Sequence, residues 1–224
     1  MKNLILILSI MLPTLSYAQD NSVFVGFGEV PVLSGSFKPS LGIAKRHGLF
    51  EFGGYYQFSD SLERDGESFN ADFGQNGLSS SSESVGQRGM LQMKFFPWNR
   101  FVYLTLAAAY NDNDSEKMHF ETTSRIIGAN QYMTDLDVNI TRNQAIRPAI
   151  GFGFAVPITK VLRFSADFTM DWFTGVPTPD TSVRSSMQLQ DSDRIKLIEN
   201  INRNFNNNFH NRHHLFNMGL SYLF

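Results

Sequence analysis

Five charged residues share one face of an alternating pattern: Glu51, Lys94, Arg147, Arg163 and Asp167. The opposite face of each segment is large and apolar. Phe50, Phe52, Tyr56 and Phe58 alternate with Glu51, Gly53, Tyr55 and Gln57, and Leu91, Met93 and Phe95 alternate with Gln92 and Lys94. Ile146, Ile150, Phe152 and Phe154 alternate with Arg147, Ala149, Gly151 and Gly153; Leu162, Phe164, Phe168 and Trp172 alternate with Arg163, Ser165, Asp167 and Asp171. A period of two is a strand. A soluble sheet places its charges outward and its hydrophobes inward, but these apolar sets are too bulky for the inside of a small barrel. The charges therefore face inward and must pair, because an unpaired ion in a narrow interior costs several kcal/mol. Two behaviours are open to such a set: a plug of ion pairs, or a gate whose exchanged partners open a narrow path.

Other chemistry is sparser. His210 and His214 share a strand face near the outer end of the last segment and are weak zinc or copper ligands, with Arg212 between them and no carboxylate at matching spacing. Asp112-Asn113-Asp114-Ser115-Glu116 has alternating oxygen ligands but lacks the glycine and distant glutamate of a calcium loop. His214 with a loop serine such as Ser185 or Ser186 could be assembled as a nucleophile–base pair, but the chain has no Gly-x-Ser-x-Gly elbow. With no cysteine there is no disulfide framework and no thiol nucleophile. The expectation is a non-enzymatic protein with no cofactor and no resident metal.

The elements that must position these residues are segments of about ten residues, the length of a tilted membrane strand. Eight are expected, near 22–30, 37–46, 49–59, 87–96, 101–111, 143–156, 161–173 and 213–224. In the first, Val23, Val25 and Phe27 compete with Phe24 and Val30 for the outer face. Short turns fall at His47-Gly48, Pro97 to Arg100 and Pro157 to Lys160. Between strands lie long polar stretches at 60–86, 112–142 and 174–212, and a short one at 31–36; the long stretches hold 16 of the 21 acidic residues. Alternation around Gly128-Ala129-Asn130 predicts a raised hairpin. Ile195, Ile198, Ile201 and Phe205, after Ser192 as a cap, fit either a short amphipathic helix able to lie on a membrane surface or simple loop packing.

Both ends fit a membrane barrel. Lys2, the apolar run Leu4 to Leu15 and Ser16-Tyr17-Ala18 read as a signal peptide over 1–18, leaving 19–224 as one barrel domain. The terminal segment alternates Met218, Leu220, Tyr222 and Phe224 with Asn217, Gly219 and Ser221. That is an apolar outer face with a small or polar inner one and an interfacial aromatic. Net charge is −2, with no basic excess to suggest nucleic acid.

The set Asn217, Gly219, Tyr222 and Phe224 resembles the C-terminal assembly signal of bacterial outer-membrane proteins. The chain as a whole resembles the small eight-stranded barrels, the group of the OmpA transmembrane domain, OmpX and OmpW, in architecture rather than by a functional motif. The resemblance implies an all-β, up-and-down antiparallel transmembrane barrel in a Gram-negative outer membrane. It also implies insertion by the barrel-assembly machinery, contact with lipid and lipopolysaccharide, and a monomeric state. No periplasmic peptidoglycan-binding domain is expected. Function is expected in the extracellular loops, as surface interaction, adhesion or envelope integrity, since loops on a rigid scaffold carry recognition. A narrow passage for ions or small apolar molecules is the alternative, and a lipid-modifying enzyme the third.

Overall fold

The computed structural model describes residues 21–28, 37–97, 101–208 and 211–224. In chain order its strands are β1 (Asn21–Gly28), β2 (Lys38–His47), β3 (Phe50–Gln57), β4 (Asp60–Asp65), β5 (Leu78–Val85), β6 (Arg88–Phe95) and β7 (Val102–Asn111). Then follow β8 (Asp114–Ile127), β9 (Asn130–Arg142), β10 (Ala145–Pro157), β11 (Leu162–Met170), β12 (Asp180–Arg184), helix α1 (Asp191–Asn207) and β13 (His214–Leu223). Eight strands close into an antiparallel barrel in the order β1-β13-β11-β10-β7-β6-β3-β2. The expected up-and-down, all-β architecture is thus present, and each barrel strand falls within a few residues of its expected segment. No described helix is long and apolar enough to cross a membrane, which says nothing about crossing by strands.

Alternation sorts the side chains. Leu91 and Ile146 are 72% and 74% exposed on the outer wall, while Lys94 and Glu51 are buried within. A largely apolar outer face over an interior that holds the charges is the inverse of a soluble barrel. The first strand, which periodicity left open, follows suit. Val23 and Val25 face out, and Phe24 turns inward, its ring 5.1 Å from that of Tyr55 and edge-on to it.

The ring closes between β1 and β13, from Ser22↔Leu223 to Phe27↔Met218. Gly26 sits opposite Gly219 there, and a Cβ on Gly219 would collide with the Val25 carbonyl and the Gly26 Cα. The glycine of the terminal signal is therefore a packing requirement of closure, with Phe24 filling the space beside it. The turn at 157–160 is tight: Ile158 and Thr159 N–H donate to the Leu162 carbonyl at 2.8 and 3.0 Å. Gly48, at φ 60°, makes the turn at His47-Gly48. The signal peptide, the stretch 31–36, Val30, His210 and most of the turn at 97–100 lie outside the described residues.

Above one rim the long stretches form a second layer, a five-stranded sheet in the order β12-β9-β8-β5-β4. The hairpin predicted around Gly128-Ala129-Asn130 is β8–β9. Of the polar stretches, 60–86 contains β4–β5, which were not expected, and 174–212 contains the unexpected β12 beside the expected helix, α1. Their serine-rich, low-hydropathy sequence hides strands that pair to existing neighbours, so backbone pairing outweighs weak local propensity.

Met118, Phe120, Leu136, Val138 and Ile140 on the sheet face Leu197, Ile201 and Phe205 on α1, giving this cap a core of its own. Each such buried side chain is worth about 1.5–3 kcal/mol. The helix starts at Asp191 after Gln190, not at Ser192, and its buried stripe is Asp193, Leu197, Ile201 and Phe205. Ile195 is exposed. The helix docks on the sheet with this stripe, rotated from the predicted one. Asp193 is the latch: it accepts hydrogen bonds from Asn130 Nδ2 and Tyr132 Oη at 2.7 Å each. Gly128, at φ 62°, lets the hairpin tip pass under it, since a Cβ there would strike the Asp193 carboxylate.

Candidate functional site

β3, β6 and β11 carry their inward charges to one level of the barrel. Arg163 Nη1 meets Glu51 Oε2 at 2.8 Å, and Lys94 Nζ lies 3.8 Å from Glu51 Oε1. Lys94 Nζ also donates to Asp167 Oδ2 and to Tyr55 Oη, each at 3.1 Å. Tyr103 Oη donates to the same Asp167 oxygen at 3.1 Å. The ammonium lies 4.8 Å from the Tyr55 ring centroid and 4.6 Å from that of Tyr103, so aromatic faces surround it where carboxylates do not. Two cations and two carboxylates balance, all nearly inaccessible to solvent. Charge-assisted hydrogen bonds of this kind are roughly twice as strong as neutral ones, and here they join strands on opposite sides of the lumen. Four of the five predicted lumen residues come together here. Tyr55 and Tyr103 complete the set, and alternation places both inward, although a tyrosine gives no sign of which cation it will receive.

Arg147 stands apart. It donates to Asp171 Oδ2 at 3.1 Å, to the Gly175 carbonyl at 2.8 Å and to the Thr174 hydroxyl, at the rim beneath the cap. A second rim cluster was not foreseen. Arg88 and Arg142 both approach Asp114, Arg88 at 3.8 Å and Arg142 in direct contact. Between these clusters sits His213, 3% exposed. Burial, then the positive charges of Arg142, Arg147 and Arg88, push its imidazole down to about 3, so it is neutral at physiological pH. Sequence reasoning passed over His213 for its neighbours because its signal, the inward register beside Asn217, shows only once the strand's start is known.

Higher in the cap, burial raises the Glu116 carboxyl above its usual range, while Ser68 and Asn70 donate to it. In the acidic run 112–116, Asp114 faces guanidiniums, Glu116 faces Ser68 and Asn70, and Asp112 Oδ1 accepts from the Asn113 N–H at 2.8 Å. Each carboxylate thus has its own partners.

The histidine and serine candidates are not brought together. His214 faces the outer wall, its ring 6.3 Å from that of Phe168 and its Nδ1 2.9 Å from the Arg212 carbonyl. Ser185 Oγ donates to the Met187 carbonyl, and Ser186 Oγ pairs with Thr134 Oγ1. Among the described residues no three histidines and carboxylates converge as a metal site would require. Of the terminal set, Asn217 lies inside and accepts from Gln57 Nε2 at 2.7 Å; Tyr222 and Phe224 stack outside with ring centroids 6.4 Å apart.

The fold and the ion-pair core define a small, closed, eight-stranded antiparallel β-barrel with a folded cap on one rim. The crystal structure of Acinetobacter baumannii CarO2 superposes with a TM-score of 0.60 at 15% identity, covering 92% of this chain and 99% of that one. Acinetobacter baumannii CarO gives 0.58 at 15% identity, covering 93% and 100%. At that identity the likeness is one of fold. No protein-family model matches the chain, and no curated protein matches its sequence.

Proposed function

We propose that this chain is a bacterial outer-membrane barrel with a closed lumen, whose activity resides in the extracellular cap as surface interaction, adhesion or envelope integrity. The observation that carries this reading is the cap's own hydrophobic core, twelve buried residues from Phe73 to Phe205 that contribute nothing to ring closure. A scaffold alone needs no such layer, and recognition commonly sits on elements held above a rigid frame. The apolar outer wall suits lipid, and the acidic cap suits contact with lipopolysaccharide through divalent ions. The ion-pair core argues against an open passage, because eight strands leave little interior beyond what side chains fill. No catalytic step is assigned to any residue.

The test is a cell-surface comparison in a Gram-negative host lacking its own small barrels. Full-length protein is set beside variants in which 60–86 or 174–212 is replaced by a tight turn. The reading expects both variants to insert and to show a heat-modifiable gel shift, but to lose cell adhesion or detergent resistance. If trimmed variants keep the phenotype and Glu51 or Lys94 substitutions remove it, the passage reading replaces this one. A changed lipid A mass on overexpression would instead point to an enzyme.

A further inference from the structure

At the far end of the cap two clefts, of about 460 and 300 Å³, run together along α1 and share Phe73, Asn200 and Arg203. Small-molecule sites begin at about 300 Å³. β8 leaves the barrel at Asp114 and turns into β9 at Gly128. Ile126 and Gly128 line the larger cleft, so the groove sits at the hairpin tip, roughly 40 Å along the strand from the rim. One wall is a polar face of α1, where Lys196, Asn200, Arg203 and Asn207 recur at helical spacing beside the stripe that docks on the sheet. The other wall is the 70–75 loop. Phe73 drops into the cap core, its ring 5.3 Å from that of Phe120. Gly74, at φ 85°, then turns the chain so that Gln75 faces the groove. Amides staple the loop to the helix: Asn204 Nδ2 donates to the Asn70 carbonyl at 3.0 Å and Asn208 Nδ2 to that of Phe69 at 2.6 Å. Both walls are thus held in place, as in a preformed site.

The lining is balanced in charge and mixed in hydrogen-bonding sense. Lys196 and Arg203 stand with Glu199 and Asp72, two cations with two carboxylates. The neighbouring Asp193 is turned to its latch with Asn130 and Tyr132, and Arg194 pairs with Asp191 at 3.0 Å. An anion needs an excess of donors, and the groove has none. An apolar ligand needs an apolar lining, and Ile126 is the one exposed hydrophobe among the described lining residues. Peptides dock through apolar anchors and side-chain pockets, which the same lining does not supply. What it does supply is a mixture: Glu199 and Asp72 accept, Lys196 and Arg203 donate, and the amides of Gln75, Asn200 and Asn207 do both. Among the described residues the side chains of Asp72, Glu199 and Asn207 make no hydrogen bond, so their polar atoms are open to a ligand.

Hydroxyl groups match such a mixture, because each is donor and acceptor at once. Sugar rings carry them on neighbouring carbons, the span of a planar amide, carboxylate or guanidinium. We propose that the groove binds a neutral oligosaccharide, laid along α1 from Lys196 to Asn207. That stretch is about 16 Å long, room for several sugar rings. The inference rests on the cap reading and deepens it by naming the partner class, a surface glycan met at the outermost part of the protein. Binding is non-covalent and no bond changes.

The experiment uses the full chain in phosphatidylcholine nanodiscs, titrated over an array of neutral hexasaccharides of glucose, mannose, galactose and N-acetylglucosamine. Hexagalacturonate and the glucosamine hexamer serve as the acidic and basic counterparts. At least one neutral hexamer is expected to bind saturably at one site per barrel, with both charged hexamers weaker by at least about tenfold. The double variant Glu199→Ala/Asn207→Ala, at two exposed helix positions, should weaken binding by about tenfold or more. Arg194→Ala, outside both clefts, should bind as the parent does; an equal loss there overturns the site. Tighter binding of a charged hexamer, or undiminished binding in the double variant, overturns the proposal. So does the absence of saturable binding to every neutral hexamer by a barrel that shows its heat-modifiable shift. That last outcome leaves the barrel and cap reading standing, whereas absence of the shift counts against both.

Discussion

Arg163 Nη1 and Glu51 Oε2 meet at 2.8 Å although their strands, β11 and β3, lie diametrically opposite in the ring of eight. A contact across the full width of a barrel means that side chains occupy the lumen at that level. Lys94 and Asp167 close the rest of the same layer at 3.1 Å. The ion pairs therefore act as part of the core of this barrel, beside an inward apolar cluster that includes Phe24, Tyr55, Met90 and Leu215.

Lys94→Met should destabilise the barrel by about 3–5 kcal/mol, because it leaves Glu51 and Asp167 as buried carboxylates without their shared cation. Urea unfolding in lipid vesicles reads this out. The double variant Lys94→Met/Asp167→Leu should recover part of the loss, since it removes one of the stranded charges. A single variant as stable as the parent would mean the pairs are not a core.

Arg147→Ala should behave differently from substitutions of Glu51, Lys94, Arg163 or Asp167 in the same unfolding assay. Its cost should be smaller than theirs, about 1–3 kcal/mol, because Asp171, 3% exposed, keeps hydrogen bonds from the Thr174 hydroxyl and from the Phe173 and Thr174 N–H groups when Arg147 is lost. Planar-bilayer recordings should show no new conductance for it. The pair Glu51→Ala/Arg163→Ala, which empties the lumen contact, should admit water and produce discrete steps. Conductance that depends on Arg147 alone would favour a gate at the rim.

Asp193→Ala should unlatch α1 from the β8–β9 tip, since Asn130 and Tyr132 lose their shared acceptor. Amide exchange across 191–207 should quicken by about tenfold while the barrel amides stay protected. Uniform loss of protection would show that the cap and barrel fold as one cooperative unit.

Acid should weaken the rim through His213. Its folded-state value of about 3 lies below the ordinary 6.5, so the unfolded chain binds the proton more readily. The stability contributed by the neutral ring is fully present above about pH 6.5 and falls as pH drops toward 3, by at most about 1.4 kcal/mol per pH unit. His213→Leu should flatten that slope in an unfolding series from pH 8 to pH 4. An unchanged slope would assign the acid sensitivity to carboxylates instead.

Gly219→Val should block ring closure without altering any charge, because a side chain there meets the β1 backbone. The expected result is a loss of the heat-modifiable species in refolding trials. Gly175→Val, at a glycine with open space around the Cβ position, should refold normally.

Sequence alone was sufficient for the barrel, for a physical reason. Lipid outside and a narrow polar interior force every strand into strict alternation, so each residue's parity declares its face, and Glu51, Lys94, Arg163 and Asp167 were readable as inward. The β8–β9 hairpin was legible by the same rule. The cap was not, because β4, β5 and β12 are polar strands stabilised by neighbours rather than by their own pattern. The helix's buried stripe depended on which face of a sheet, assembled from distant segments, it would meet. Parity also cannot tell height. Only the tertiary structure could place Arg147 at the rim, bring Arg88 and Arg142 onto one Asp114 and bury His213 among them, because each depends on strand stagger and on contacts between residues far apart in the chain.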